Sequence, residues 1–165
     1  MPPVSAGITP PLYPSPGKGP VRLSGRCHLL AKPATMTKEE HIRYWLESAR
    51  HDFETAESMF QSGKYDWCLF IGHLVLEKTL KALFVDRNDN NMPPKTHNLA
   101  KLAQLSQLEL EREQRNLLDK VTDFNIQTRY PDYKLDFYKR CTKEYTDEYF
   151  RKIKELYEWM KSLIK

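Results

Sequence analysis

From Thr37 to Ser62 the apolar residues Ile42, Trp45, Ala49, Phe53, Ala56 and Phe60 recur at steps of three and four, which gathers them on one stripe of an α-helix. The opposite face is charged. Thr37 and Glu40 have capping-box spacing, in which the threonine accepts from a backbone N–H and the glutamate bonds back. Gly63 supplies a residue tolerant of positive φ where this helix must stop. The next stretch, about Asp66 to Asp86, is apolar almost all round, through Trp67, Leu69, Phe70, Ile71, Leu74, Val75, Leu76, Leu80, Leu83 and Phe84. A helix of that kind belongs at the centre of a bundle.

Asn88-Asp89-Asn90-Asn91-Met92-Pro93-Pro94 predicts a loop, because asparagine and aspartate favour turns and proline removes donors. A short helix from about Asn98 to Leu105 follows. Leu110, Leu117, Leu118, Val121 and Phe124 predict a third long helix over about Leu110 to Ile126, and Pro131 forces Tyr130 out of helical geometry. The last helix, about Thr142 to Ile164, aligns Tyr149, Ile153, Leu156, Met160 and Leu163. Its acidic start at Glu144, Asp147 and Glu148 and basic end at Lys161 and Lys165 suit the helix dipole. No strand-like alternation of useful length interrupts the series. The expected fold is all-α, an antiparallel up-and-down four-helix bundle with an additional short helix.

Composition changes this picture at the N-terminus. Eight of the eleven prolines and four of the six glycines fall in residues 1–35, so that segment is expected to stay disordered, with the helical domain over 36–165. Two readings of the tail stand: an over-called upstream extension with Met36 as the true start, or a genuine disordered arm. The net charge of +4 also belongs to it, because Lys18, Arg22, Arg26 and Lys32 have no acidic counterpart there. The helical part is neutral, so nucleic-acid affinity must come from a local patch. Cys27, Cys68 and Cys141 form no CxxC pair, which points away from a zinc ribbon or a secreted disulfide scaffold and toward a cytoplasmic protein. Nothing approaches the roughly 18 apolar residues of a membrane span.

The candidate chemistry sits on the central helix. His73, Glu77 and Lys81 are spaced by four and form a polar stripe with Lys78 beside it. Such a stripe is either a solvated edge carrying a Glu77–Lys81 ion pair or the wall of a groove whose lysines face phosphate. No third or fourth ligand accompanies His73 and Glu77, so no metal site is expected, and no cofactor loop of the GxGxxG or GxxxxGK type occurs. His97, at the entry to the short helix, belongs to a cap sequence and is secondarily a ligand candidate. Arg129 carries a donor fork suited to carboxylate or phosphate. It either pairs structurally with Asp132 or Glu77 or binds an anion. Tyr130, Tyr133 and Tyr138, expected in a loop beside it, are candidates for base stacking. Trp45, Trp67 and Tyr149 are expected on or near buried faces.

Three segments in register, Glu77-Lys78-Thr79-Leu80-Lys81-Ala82-Leu83-Phe84, Thr96-His97-Asn98-Leu99 and Arg129-Tyr130-Pro131-Asp132, resemble the small bacterial and archaeal HEPN proteins over the chain from Thr37 onward. The resemblance implies an all-helical domain associated with nucleotides or RNA, and a homodimer whose cleft is partly lined by the central helix. It also implies a minimal nucleotidyltransferase as partner in a toxin–antitoxin-like pair. The ligand-binding set it implies is Lys78, Lys81, His97, Arg129, Tyr130 and Asp132. The dimer is expected to form through the second and last long helices.

Active HEPN ribonucleases are marked by an arginine followed after four to six residues by a histidine. After Arg129 those positions hold Lys134, Leu135 and Asp136, and after Arg115 they hold Lys120, Val121 and Thr122. The one match, Arg22 with His28, lies in the tail. A binding module is therefore expected in preference to an enzyme, with no assigned catalytic residue. A divergent metal-independent ribonuclease using His73 or His97 is the alternative.

Overall fold

A computed structural model describes residues 36–88 and 92–165, apart from the side chains of 131–134. The tail over 1–35, residues 89–91 of the asparagine-rich loop, and the side chains of Asp132 and Tyr133 lie outside the described residues. Four long helices, α1 (Lys38–Gln61), α2 (Tyr65–Arg87), α4 (Arg112–Arg129) and α6 (Lys143–Ser162), are accompanied by the short helices α3 (Leu99–Leu105) and α5 (Pro131–Arg140). The fold is all-α, as the periodicity predicts. Among the described residues no helix is long and apolar enough to cross a membrane.

Local chemistry sets the helix ends. Thr37 Oγ1 accepts from Glu40 N at 3.2 Å while Thr37 N donates to Glu40 Oε2 at 2.8 Å, so the capping box at the start of α1 is complete. Gly63, at φ 70°, turns the chain between α1 and α2. Thr142 caps α6 by accepting from Tyr145 N, and Asn98 caps α3 by accepting from Lys101 N at 2.8 Å.

The segment after Arg129 departs from expectation. Residues 131–140 are helical and not a loop. Pro131 does end α4, holding Tyr130 at φ −97°, ψ 129°, but the same proline is the first residue of α5. Its fixed φ and missing N–H suit a helix start as well as they forbid a helix interior.

Helix α2 is the hub. It packs against α1, α3, α4, α5 and α6 and buries Leu69, Val75, Leu76, Leu80 and Leu83. The core gathers Ala49 and Phe53 from α1, Leu118, Val121 and Phe124 from α4, and Ile153, Leu156 and Met160 from α6 around it. Phe53 stacks between Phe150 and Tyr157 at ring distances of 5.5 and 5.3 Å. Gly72 lets α6 approach, since a Cβ there would lie 3.0 Å from Ile153 Cδ1. One side of α2 stays partly open along Trp67, Phe70, Ile71 and Leu74. Trp67 is 40% exposed, so the expectation that it lies on or near a buried face fails: the bundle covers the neighbouring Cys68 and Leu69 and leaves the indole on the open side.

Candidate functional site

His73 is fully buried and Glu77 is 5% exposed, which excludes the solvated-edge reading of the α2 polar stripe. A buried carboxylate needs partners, and Glu77 has them on both oxygens. Lys81, one turn on, donates to Oε1 at 2.7 Å, while His97 Nδ1 lies 2.8 Å from Oε2. A carboxylate of this kind only accepts, so His97 Nδ1 carries the proton and its Nε2 is left outward on a side chain that is 62% exposed. Burial pushes the Glu77 carboxyl up, but the bonds from Lys81 and His97 together with the Lys81 charge outweigh it and hold the group below its ordinary value.

The segment leading into α3 delivers His97 to this carboxylate. It is stiffened by Pro93 and Pro94 and by Thr96 N donating to Pro94 O at 2.9 Å. His73 fixes its other side, with Nε2 3.0 Å from His97 O. A carbonyl can only accept, so His73 Nε2 is a donor. Desolvation lowers the His73 pKa, against the opposing pull of that hydrogen bond and of the Glu77 charge, and the ring is neutral. Asn125 Nδ2 lies 3.4 Å from the same Nε2, and Asn125 Oδ1 is buried without a partner. The opposite amide orientation turns Oδ1 toward the histidine donor and resolves both features.

Asn125 also links this core to Arg129, its neighbour one turn along α4. Arg129 Nε donates to Asn125 O at 3.1 Å, and the arginine charge is felt at His73. Arg129 and Tyr130 are exposed at the end of α4. Among the described residues the terminal guanidinium nitrogens of Arg129 meet no carboxylate, and no Arg129–Glu77 pair forms.

The structure thus brings Lys81, His97 and Arg129 around Glu77, His73 and Asn125. Tyr130 follows Arg129 directly. Lys78 faces elsewhere: its Nζ is 2.6 Å from Asp52 Oδ2 on α1. One residue along a helix is a turn of about 100°, which carries Lys78 off the His73–Glu77–Lys81 line. The Lys81 ammonium lies 5.0 Å from the centroid of the Trp45 ring, so α1 closes that side with an aromatic face. Trp45 and Asn125 were not in the sequence-derived set. Asn125 had a signal, as a polar residue four before Arg129 on an otherwise apolar face.

Two other concavities share no residue with this cluster. One, about 680 Å³, lies between α4 and α6 over Leu117, Tyr149, Leu156 and Trp159. The other, about 740 Å³, lies beside α3 and the start of α4. Their linings lack the convergent buried polar groups of the Glu77 cluster, and size alone does not define a site.

A helical bundle with a polar cluster enclosed by its central helix, a capped strap and the end of α4 defines the class. The HEPN domain family model matches residues 42–163, and the chain belongs to the HEPN family. The crystal structure of TT1696 from Thermus thermophilus is similar in fold, with a TM-score of 0.62 at 22% identity, covering 74% of this chain and 97% of that one. No curated protein matches the chain.

Proposed function

We propose that the chain is a nucleotide- or RNA-binding helical module whose anion site is formed by Arg129 with Lys81, His97 and Tyr130. The observation that carries this is the state of Arg129: its Nε is held by a backbone carbonyl while its outer nitrogens have no carboxylate among the described residues. A fixed, outward guanidinium fork is suited to bidentate phosphate contacts. Lys81 is matched by Glu77 and Lys78 by Asp52, so among the described residues the arginine supplies the charge without a carboxylate partner.

Family resemblance adds a homodimer and a minimal nucleotidyltransferase partner in a toxin–antitoxin-like pair, in a cytoplasmic setting. The half-buried stripe Phe70, Ile71 and Leu74 on α2 supports the dimer, since apolar surface left partly accessible favours a partner. Helices α2 and α6 pack on each other within the chain, so among the described residues this stripe is the part of α2 available to a second copy.

Titration of adenosine 5′-monophosphate and a short oligoribonucleotide into the protein and into Arg129→Ala tests the site. A loss of about tenfold or more in affinity is expected, in line with a charge-assisted contact of about 1.5–3 kcal/mol. The melting temperature should move no more than for a surface change. Unchanged affinity would contradict the assignment.

One observation favours the second reading, a metal-independent ribonuclease. The Glu77–His97 bond orients a histidine as proton-transfer sites do. RNA cleavage in EDTA that disappears in His97→Ala would replace the binding module with the enzyme.

A further inference from the structure

We infer that the Glu77–His97 pair makes this site selective for a terminal phosphate monoester over an internal phosphodiester, with His97 as the specificity-determining contact. The inference rests on the nucleotide-binding reading above and names the ligand chemistry of that site. Its basis is the count of charges in the cluster around Glu77. From α2, Glu77 bonds His97 Nδ1 and is itself matched by Lys81, while His73 lies behind the strap as a neutral donor to the His97 carbonyl. From α4, Arg129 reaches the same group of residues through Asn125. α1 approaches through Trp45, over which Lys81 lies. Glu77 and Lys81 cancel, which among the described residues leaves Arg129 as one positive charge held through its Nε, and His97 Nε2 as a place where one further proton can be held.

A phosphodiester carries a single negative charge, and Arg129 alone matches it. A terminal monoester carries about −1.5 to −2 near neutral pH, and it is matched only when His97 gains a proton at Nε2. Glu77 prepares that state, because its carboxylate accepts from Nδ1 in either protonation state and becomes the counter-ion of the imidazolium. Binding of a monoester should therefore take up a proton, and binding of a diester should not. The monoester could be that of a free nucleotide or of an RNA end, which share this chemistry.

The test is calorimetric titration of the full chain at about pH 7, in buffers of low and high ionisation enthalpy. Three ligands are compared: adenosine 5′-monophosphate, a 5′-phosphorylated oligoribonucleotide and the same oligoribonucleotide with a 5′-hydroxyl. The two monoesters are expected to bind about tenfold or more tightly than the 5′-hydroxyl strand, as one added charge-assisted contact implies, and with proton uptake. A preference confined to the mononucleotide identifies the free nucleotide as the source, and one shared by the phosphorylated strand identifies an RNA end. His97→Gln keeps a donor for Glu77 but cannot be protonated, so it should lose both the preference among the three ligands and the proton uptake. Equal affinity for all three ligands, or a preference that survives in His97→Gln, overturns the inference and leaves the binding reading standing. Failure of every ligand to bind removes the binding reading and the inference together.

Discussion

Glu77 is the residue on which the site turns, and it sits where burial and charge oppose each other. Two hydrogen-bond donors keep the carboxylate ionised inside the bundle, and one of them, His97, reaches the surface. The consequence for stability follows from proton linkage. His73 is held below its ordinary value of 6.5, so its contribution is complete above the unfolded value and is lost as pH falls through the folded one. Glu77 is held below 4.5, so its contribution is lost in the same direction but at lower pH. Acid should therefore lower the melting temperature in two stages, the first beginning near pH 6.5 and the second below 4.5. Thermal melts across that range should show the first stage missing in His73→Gln. Persistence of the first stage in that variant would contradict the buried, neutral assignment of His73.

At the scale of elements, the helices whose apolar residues repeat were legible in the sequence, and the one without a repeat was not. Ala49, Phe53 and Ala56 on α1 and Ile153, Leu156 and Met160 on α6 are buried at the spacing the sequence shows. In α5 only Phe137 turns inward among its large described side chains, while Leu135 and Tyr138 are exposed, so no periodic signal existed and Pro131 read only as a stop. The site was legible in part for a similar reason. The i, i+4 spacing revealed the Glu77–Lys81 pair, but His97 reaches Glu77 from twenty residues away, a contact that only folding of the strap creates. The capping box of α1 was fully written in the sequence. Thr37→Ala is expected to cost about 1 kcal/mol, read as a lower denaturant midpoint at unchanged slope. No change would show that the box adds nothing in this bundle.

At the scale of the whole molecule, the described residues enclose the core around α2 and leave one partly apolar side of that helix half-buried. A second copy covering Phe70, Ile71 and Leu74 is expected to give a dimer in sedimentation at micromolar concentration. Ile71→Glu and Leu74→Glu together should dissociate it, because a charge at an interface centre must be desolvated. A wild-type monomer would defeat the dimer assignment without touching the site, since Glu77, His97 and Arg129 are assembled within one chain.

Ligand is proposed to bind at the Glu77 cluster and not in the grooves between α4 and α6 and beside α3. Amide chemical-shift mapping during titration with adenosine 5′-monophosphate tests it most directly. The largest shifts are expected at Lys81, His97, Asn125, Arg129 and Tyr130, with little change at Leu117, Tyr149 and Trp159. Shifts centred on those last three residues, which line the groove between α4 and α6, would contradict it.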